Sequence, residues 1–318
     1  MEKTDYVDAC EYEFLSGSGS SSTDYVALGY RTPSGTPFSP FELESWVVHF
    51  TPHRQADGTL KMDFLFGNTR WLTGLWRSPE GVVYISDNQG IVHVCRDLER
   101  AKQDEREEMP VDAQLSGVWG LSDKCVFTWG RAANKDNRLF RYDGRAWQPL
   151  PSPGYVSTLH GLAPDFLYAV GYDGLMARWD GHTWTPIPLD VESNFTGLFV
   201  AGPDEMYATT EGGELWEGTS HGWSKRAEMP GPLLDVAKYK GEIWVAGGEQ
   251  GLLKLKGGTN ELECIKPNIE AKSFDAREAL IITTKDFVAY SADGVKFQGR
   301  GRDTMRELLE TDVPMWME

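Results

Sequence analysis

Signatures of catalysis and of metal binding are what this sequence has least of. It contains no GxSxG, no Walker A run and no GxGxxG that opens a helix. Its six histidines (His49, His53, His93, His160, His182 and His221) form no HxH or HExxH pair, and no DxDxDG calcium loop occurs. The four cysteines, Cys10, Cys95, Cys125 and Cys264, make no CxxC pair and no zinc spacing. They read as small core residues of a reduced compartment. The expectation is therefore no metal, no cofactor and no enzyme activity.

Positive charge is also scarce. There are 31 Lys and Arg against 48 Asp and Glu, a formal net charge of −17. Such a chain is repelled by nucleic acid and by anionic membranes, and attracted to a basic protein or a cation. No apolar run of about 18 residues is present to span a bilayer. Residues 1–5 lack the basic and apolar regions of a signal peptide, so a cytoplasmic protein is expected. Amphipathic helical patterning between apolar segments is missing too, which excludes an alternating αβ repeat.

What is plentiful is glycine (34) and aromatic residues, with 12 Trp, 12 Tyr and 14 Phe. Turn formers mixed with aromatics favour many short strands. The strands recur. Arg141-Tyr142-Asp143-Gly144-Arg145-Ala146-Trp147 returns 37 residues later as Arg178-Trp179-Asp180-Gly181-His182-Thr183-Trp184. Both read as strand, Asp-Gly turn, strand, with a tight type I′ hairpin expected.

A second repeated pattern precedes each hairpin. Thr73-Gly74-Leu75-Trp76, Ser116-Gly117-Val118-Trp119, Ser157-Thr158-Leu159-His160 and Thr196-Gly197-Leu198-Phe199 each begin a unit, with weaker copies at 235–237 and 273–275. The anchors Leu75, Val118, Leu159, Leu198, Val236 and Phe274 are spaced by 43, 41, 39, 38 and 38 residues. A second strand follows, with an aromatic at one position in five of six units: Tyr84, Phe127, Tyr168, Tyr207 and Trp244. A position that recurs implies an environment that recurs, here the packing between neighbouring sheets. Four strands per unit at a period near 40 predict an all-β fold, a single β-propeller. Seven four-stranded blades fit best, with six or eight also compatible.

The expected boundaries are an N-terminal tail and Ser/Gly linker over 1–23 and the propeller over 24–318. Within the propeller, 24–70 is a divergent blade with a turn at Asp57-Gly58, 72–299 holds six regular blades, and 300–318 is a closing tail. The stretch 97–105 reads as an insertion replacing one hairpin, after which 106–110 restores the register by its match to 226–230.

The Arg-aromatic-Asp-Gly-x-x-Trp pattern at 141–147 and 178–184, with Ser291-Ala292-Asp293-Gly294 further on, resembles the Asp-box turn of BNR/sialidase-type and photosystem-assembly-factor-like propellers. The resemblance covers about 72–299. It implies architecture more than activity, because Asp boxes lie on hairpins away from most active sites. The Arg-Ile-Pro of sialidases is missing, and so is the Gly-His…Trp-Asp pattern of WD40 repeats.

With the hairpins assigned to architecture, binding falls to the opposite face. There the loops joining strands two and three meet the loops between blades. The first set carries Asp87, Asp136, Asp173, Glu211, Glu249 and Asp286, with Tyr172; the second carries Trp71, Asp112, Tyr155, Asp190, Glu192 and Phe195. Carboxylates steer and aromatics anchor, so this face is the expected partner-binding surface for a basic protein. His160 takes the position of Trp76, Trp119 and Phe199 and is expected at the central channel. The chain also resembles immunity-type propellers, which implies a monomer that blocks the active site of a basic toxin. A carbohydrate-binding or glycan-cleaving propeller and an assembly scaffold are the alternatives.

Overall fold

The computed structural model describes residues 10–33, 43–54, 60–101 and 105–301. They form seven four-stranded antiparallel sheets, each made of four strands consecutive in sequence. The sheets span residues 10–68, 72–110, 114–150, 156–186, 195–228, 235–266 and 273–301, here blades 1 to 7. The first strand of each blade touches the first strand of the next, and that of blade 7 touches that of blade 1. The first strands thus ring a central channel. Among the described residues no helix is long and apolar enough to cross a membrane.

The stretch 1–23 departs from expectation. Cys10–Ser21 is not a linker but the first strand of blade 1, paired along its length with Asp24–Pro33. Ser16, Gly17 and Ser18 line the channel, where small side chains let the strands converge. Tyr12 and Phe14, on alternate positions of the same strand, are buried. The divergent blade therefore begins at residue 10 rather than 24. Blade 7 is complete by Gly301 from its own strands, so no closing strand is borrowed from elsewhere among the described residues. Residues 302–318, assigned to a closing tail, and the Asp57-Gly58 turn lie outside the described residues.

The recurring aromatics occupy the predicted environment. Tyr84, Phe127, Tyr168, Tyr207 and Trp244 are all buried, each in a cluster shared with the following blade. Burying a ring of this kind contributes about 2–3 kcal/mol, one share of clusters that also bury Val, Leu, Ile and Trp side chains from both blades. Of the two remaining interfaces, that between blades 7 and 1 is built from Ile281 and Val288 against Tyr25, Phe50 and Trp46, and that between blades 1 and 2 from Val26, Leu28 and Val47 against Leu72, Leu75 and Val83.

The Asp-Gly hairpins join strands three and four as expected, but they are not type I′ turns. Gly144, Gly181 and Gly294 have φ of 92°, 97° and 76°, while the preceding aspartates keep negative φ. A type I′ turn needs positive φ at both central residues. Instead each Asp carboxylate accepts two backbone N–H groups. Asp143 takes those of Arg145 and Ala146 at 2.8 and 3.0 Å, Asp180 those of His182 and Thr183 at 2.8 and 2.7 Å, and Asp293 those of Val295 and Lys296, both at 2.8 Å. In blade 2 the hairpin is replaced by a single helical turn, Leu98–Ala101, whose first N–H groups are capped by Asp97. Strand pairing resumes at Glu107–Pro110, the register inferred from the 226–230 match.

Candidate functional site

The loops between strands two and three and the loops between blades are stitched to one another by backbone hydrogen bonds. Asn88 N–H donates to the Trp71 carbonyl at 2.9 Å, Tyr172 to Tyr155 at 3.0 Å, Glu211 to Asn194 at 3.0 Å and Leu234 to Ala246 at 2.7 Å. The two loop sets therefore form one face.

On that face the residues at blades 3, 4 and 5 come together. Tyr155 ends the loop into blade 4, and Tyr172 opens the strand-two to strand-three turn of the same blade. Their rings stack at 4.2 Å between centroids and 8° between planes. The Arg131 guanidinium, from blade 3, lies 4.9 Å above the Tyr155 ring, held there by hydrogen bonds to the Lys135 carbonyl. Tyr172 is 41% exposed, one of three large hydrophobic side chains exposed among the described residues. Partial burial, then Tyr155 and the Glu211 charge, push its phenol above the ordinary value, so it stays a neutral hydroxyl at physiological pH.

Asn194 fixes the acidic side of the patch. Its Oδ1 accepts the Asp173 N–H at 3.0 Å and its Nδ2 donates to Glu211 Oε2 at 2.9 Å. One side chain thus bridges the turns of blades 4 and 5. Asp173 sits in the left-handed region with φ 56°, an uncommon conformation for a non-glycine residue. Asp173, Asp190, Glu192 and Glu211 are all exposed. The result is a stacked aromatic pair with one arginine over Tyr155, beside the turns that carry Asp173 and Glu211. A pre-ordered patch of this kind loses little conformational entropy on binding.

The other predicted positions divide. Asp112, Asp136 and Glu249 are exposed, Asp136 in the same blade 3 turn as Arg131. Asp136 is held locally by Asn134 at 2.7 Å and by Arg138 at 3.5 Å. Trp71 and Asp286 are half-buried. Two assignments are corrected. Phe195 is fully buried in the core between blades 4 and 5, because the first strand of blade 5 begins at this residue and turns its ring inward. Asp87 is fully buried as well. Its Oδ1 accepts the N–H groups of Gln89 and Ile91 at 2.8 and 2.9 Å, and its Oδ2 meets His93 Nε2 at 3.1 Å. Burial opposes its ionisation, but these hydrogen bonds prevail and hold its carboxyl below the usual range. It organises the blade 2 turn and has no surface to offer a partner.

His160 lies at the inner ring, wedged between Trp119 at 4.9 Å and Phe199 at 5.1 Å. Its Nδ1 accepts the Val200 N–H at 3.2 Å, so the imidazole is neutral with its proton on Nε2. Burial drives its pKa down to about 4. It is a packed strut between blades 3, 4 and 5. Sequence reasoning missed Arg131 and Asn194. Arg131 belongs to strand two of blade 3, and Asn194 stands between the predicted Glu192 and Phe195, so neither carried a pattern of its own.

Neither a family model nor a curated protein matches this sequence. Solved structures do. One described as "YCF48 bound to D1 peptide" has a TM-score of 0.58 at 13% identity, covering 87% of this chain and 92% of that one. Another, the WD40 β-propeller domain of Doa1, has a TM-score of 0.67 at 8% identity, covering 88% and 93%. At such identities the likeness speaks for architecture. This chain is a seven-bladed β-propeller.

Proposed function

We propose that this propeller is a non-enzymatic protein-binding module whose working surface is the Tyr155–Tyr172 stack with Asp173, Asp190, Glu192 and Glu211. The observation that carries the reading is the stack itself: an exposed aromatic anchor, already ordered, beside carboxylates that no lysine or arginine of the patch neutralises. Aromatic side chains in ordered surroundings are where interface energy concentrates. The acidic rim and the net charge of −17 favour a basic partner. Similarity to a propeller solved with a bound peptide is in keeping with such a role.

We read the partner as a basic toxin and the chain as its cytoplasmic immunity protein, the acidic face mimicking an anionic ligand in the toxin's active site. The three Asp-centred hairpins of one geometry support placing the chain among Asp-box propellers. The test is co-purification of the tagged chain with basic proteins encoded by neighbouring genes, at about 50 and 300 mM salt, where screening lengths differ more than twofold. Capture that weakens at the higher salt, together with loss of the partner's activity, is the expected result. Capture indifferent to salt, or none, refutes the reading.

A further inference from the structure

The first strands line an open cavity of about 270 Å³ at the centre of the ring. Its wall is chemically lopsided. Blades 2, 3 and 5 contribute Trp76, Trp119 and Phe199, and blade 7 contributes Phe274. The ionisable groups on the wall are Asp235 of blade 6 and Asp275 and Arg277 of blade 7, which leaves one net negative charge.

The two carboxylates are not equivalent. Asp275 is compensated: Arg277 Nε donates to its Oδ1 at 2.9 Å, and Ser18 Oγ and the Gly19 N–H donate to its Oδ2 at 2.6 and 3.1 Å. Asp235 has no cation within ion-pair distance among the described residues. It accepts only the Val236 N–H on Oδ1 and the Phe274 N–H on Oδ2, both at 2.8 Å. The neighbouring strand makes room for it. A Cβ on Gly197 would lie 2.8 Å from Asp235 Oδ1 and 2.6 Å from its Cα. Two further polar atoms of the wall, Ser273 Oγ and Arg277 Nη1, are buried without a hydrogen-bond partner. Buried polar groups in folded proteins are otherwise nearly always satisfied.

We propose that the channel is a binding site for a small alkylammonium compound that carries a hydroxyl or similar polar group. The Asp235 carboxylate supplies the missing counter-charge, and the indole and phenyl rings supply the apolar and π surface that organic cations prefer. The unpartnered Ser273 Oγ and the Nη1 of Arg277, whose other nitrogens are already bonded, receive the polar end. The cavity has room for a molecule of choline's size. Burial, aided by the Asp275 charge, raises the Asp235 carboxyl to about 7, so the site is charged above neutrality and discharged below it.

The experiment is calorimetric titration of the full chain with choline and with its neutral isostere 3,3-dimethyl-1-butanol. Choline should bind at pH 8 with a Kd of about 1 mM or tighter, and the isostere at least about tenfold more weakly. Going to pH 6 should weaken choline about tenfold, as the carboxyl protonates. Asp235→Asn should remove the preference for choline over the isostere while the melting temperature holds. No choline binding at about 10 mM and pH 8, equal binding of the isostere, or a folded Asp235→Asn that binds as the native chain does, each overturns the proposal. The isostere and pH comparisons use the native protein, so they decide the matter even if the variant fails to fold.

Discussion

Blades 1 and 2 share no strand, so their junction depends on side chains, and Arg77 is the one to remove. Its guanidinium, at the end of the first strand of blade 2, pairs with Asp24 of blade 1 through two bonds of 2.6 and 3.1 Å. It also reaches the Asp24 carbonyl at 3.3 Å and the Gly81 carbonyl at 3.3 Å. His49 Nε2 meets the same carboxylate at 2.8 Å. Arg77→Leu keeps the apolar stem and leaves Asp24 short of its main counter-charge. Breaking a buried pair costs about 3–5 kcal/mol. The Asp24 side chain is 28% exposed, which puts the effect at the lower end, about 3 kcal/mol. At about 2 °C per kcal/mol for a chain of this size, the melting temperature should fall by about 6 °C.

The pH dependence adds a second check on the same pair. Burial opposes ionisation of Asp24, but the hydrogen bonds from His49 and Arg77 and the Arg77 charge outweigh it and hold the carboxyl well below the usual range. A carboxyl depressed in the folded state contributes stability above its unfolded value of about 4, and that stability is lost as pH falls below it. The gap between native protein and Arg77→Leu should therefore be full at pH 7 and shrink under acid. Calorimetry at pH 7 and at about pH 3 measures both, with the exposed Arg145→Leu as a control that should not move. An Arg77→Leu protein that melts within about 1 °C of the native chain at pH 7 would show that the seam is held by its apolar contacts alone.

Two other outcomes follow from buried groups. His160 has a folded pKa of about 4, below its unfolded value of about 6.5, so stability is full above pH 6.5 and declines as pH falls toward 4. His160→Phe should flatten that acid limb in denaturant titrations, while costing about 1–2 kcal/mol at neutral pH because the Val200 N–H loses its acceptor. An acid limb unchanged in the variant would refute this. Burial pushes the Cys95 thiol to about 12 and the Cys125 thiol upward, whereas Cys264 is exposed. A maleimide at pH 7 should thus label Cys264 in the native protein and leave Cys95 and Cys125 until denaturation, read by peptide mass spectrometry.

The architecture was legible because its signals repeat. The aromatics from Tyr84 to Trp244 recur at nearly constant spacing in blades 2 to 6, where each occupies one environment, and Thr-Gly or Ser-Gly opens blades 2, 3 and 5. Blade 1 escaped the pattern. Ser16-Gly17 matches Thr73-Gly74 and Ser116-Gly117, but it stands 57 residues before Gly74 and is followed by the longer strands of that blade. Its Ser/Gly composition is also that of a linker, and only the crowding of strands around the axis explains it as an inner strand. On the loop face, sequence placed the right segments but not the direction of each side chain. Asp87 and Asp173 occupy corresponding turns. The first folds inward because His93 and two N–H groups await it, and the second faces solvent. The stacking of Tyr155 on Tyr172 joins residues 17 apart through a backbone hydrogen bond between loops, which no local pattern encodes.

The measurement that bears most directly on the proposed binding face is the affinity of a captured basic partner for the native chain, for Tyr172→Ala and for Glu211→Gln, at about 50 and 300 mM salt. Loss of the exposed ring should cost about 2 kcal/mol, roughly a thirtyfold weaker Kd at either salt concentration. Glu211→Gln should weaken binding chiefly at the lower concentration, where the charge is least screened. Equal affinities for all three proteins would place the working surface elsewhere on the propeller.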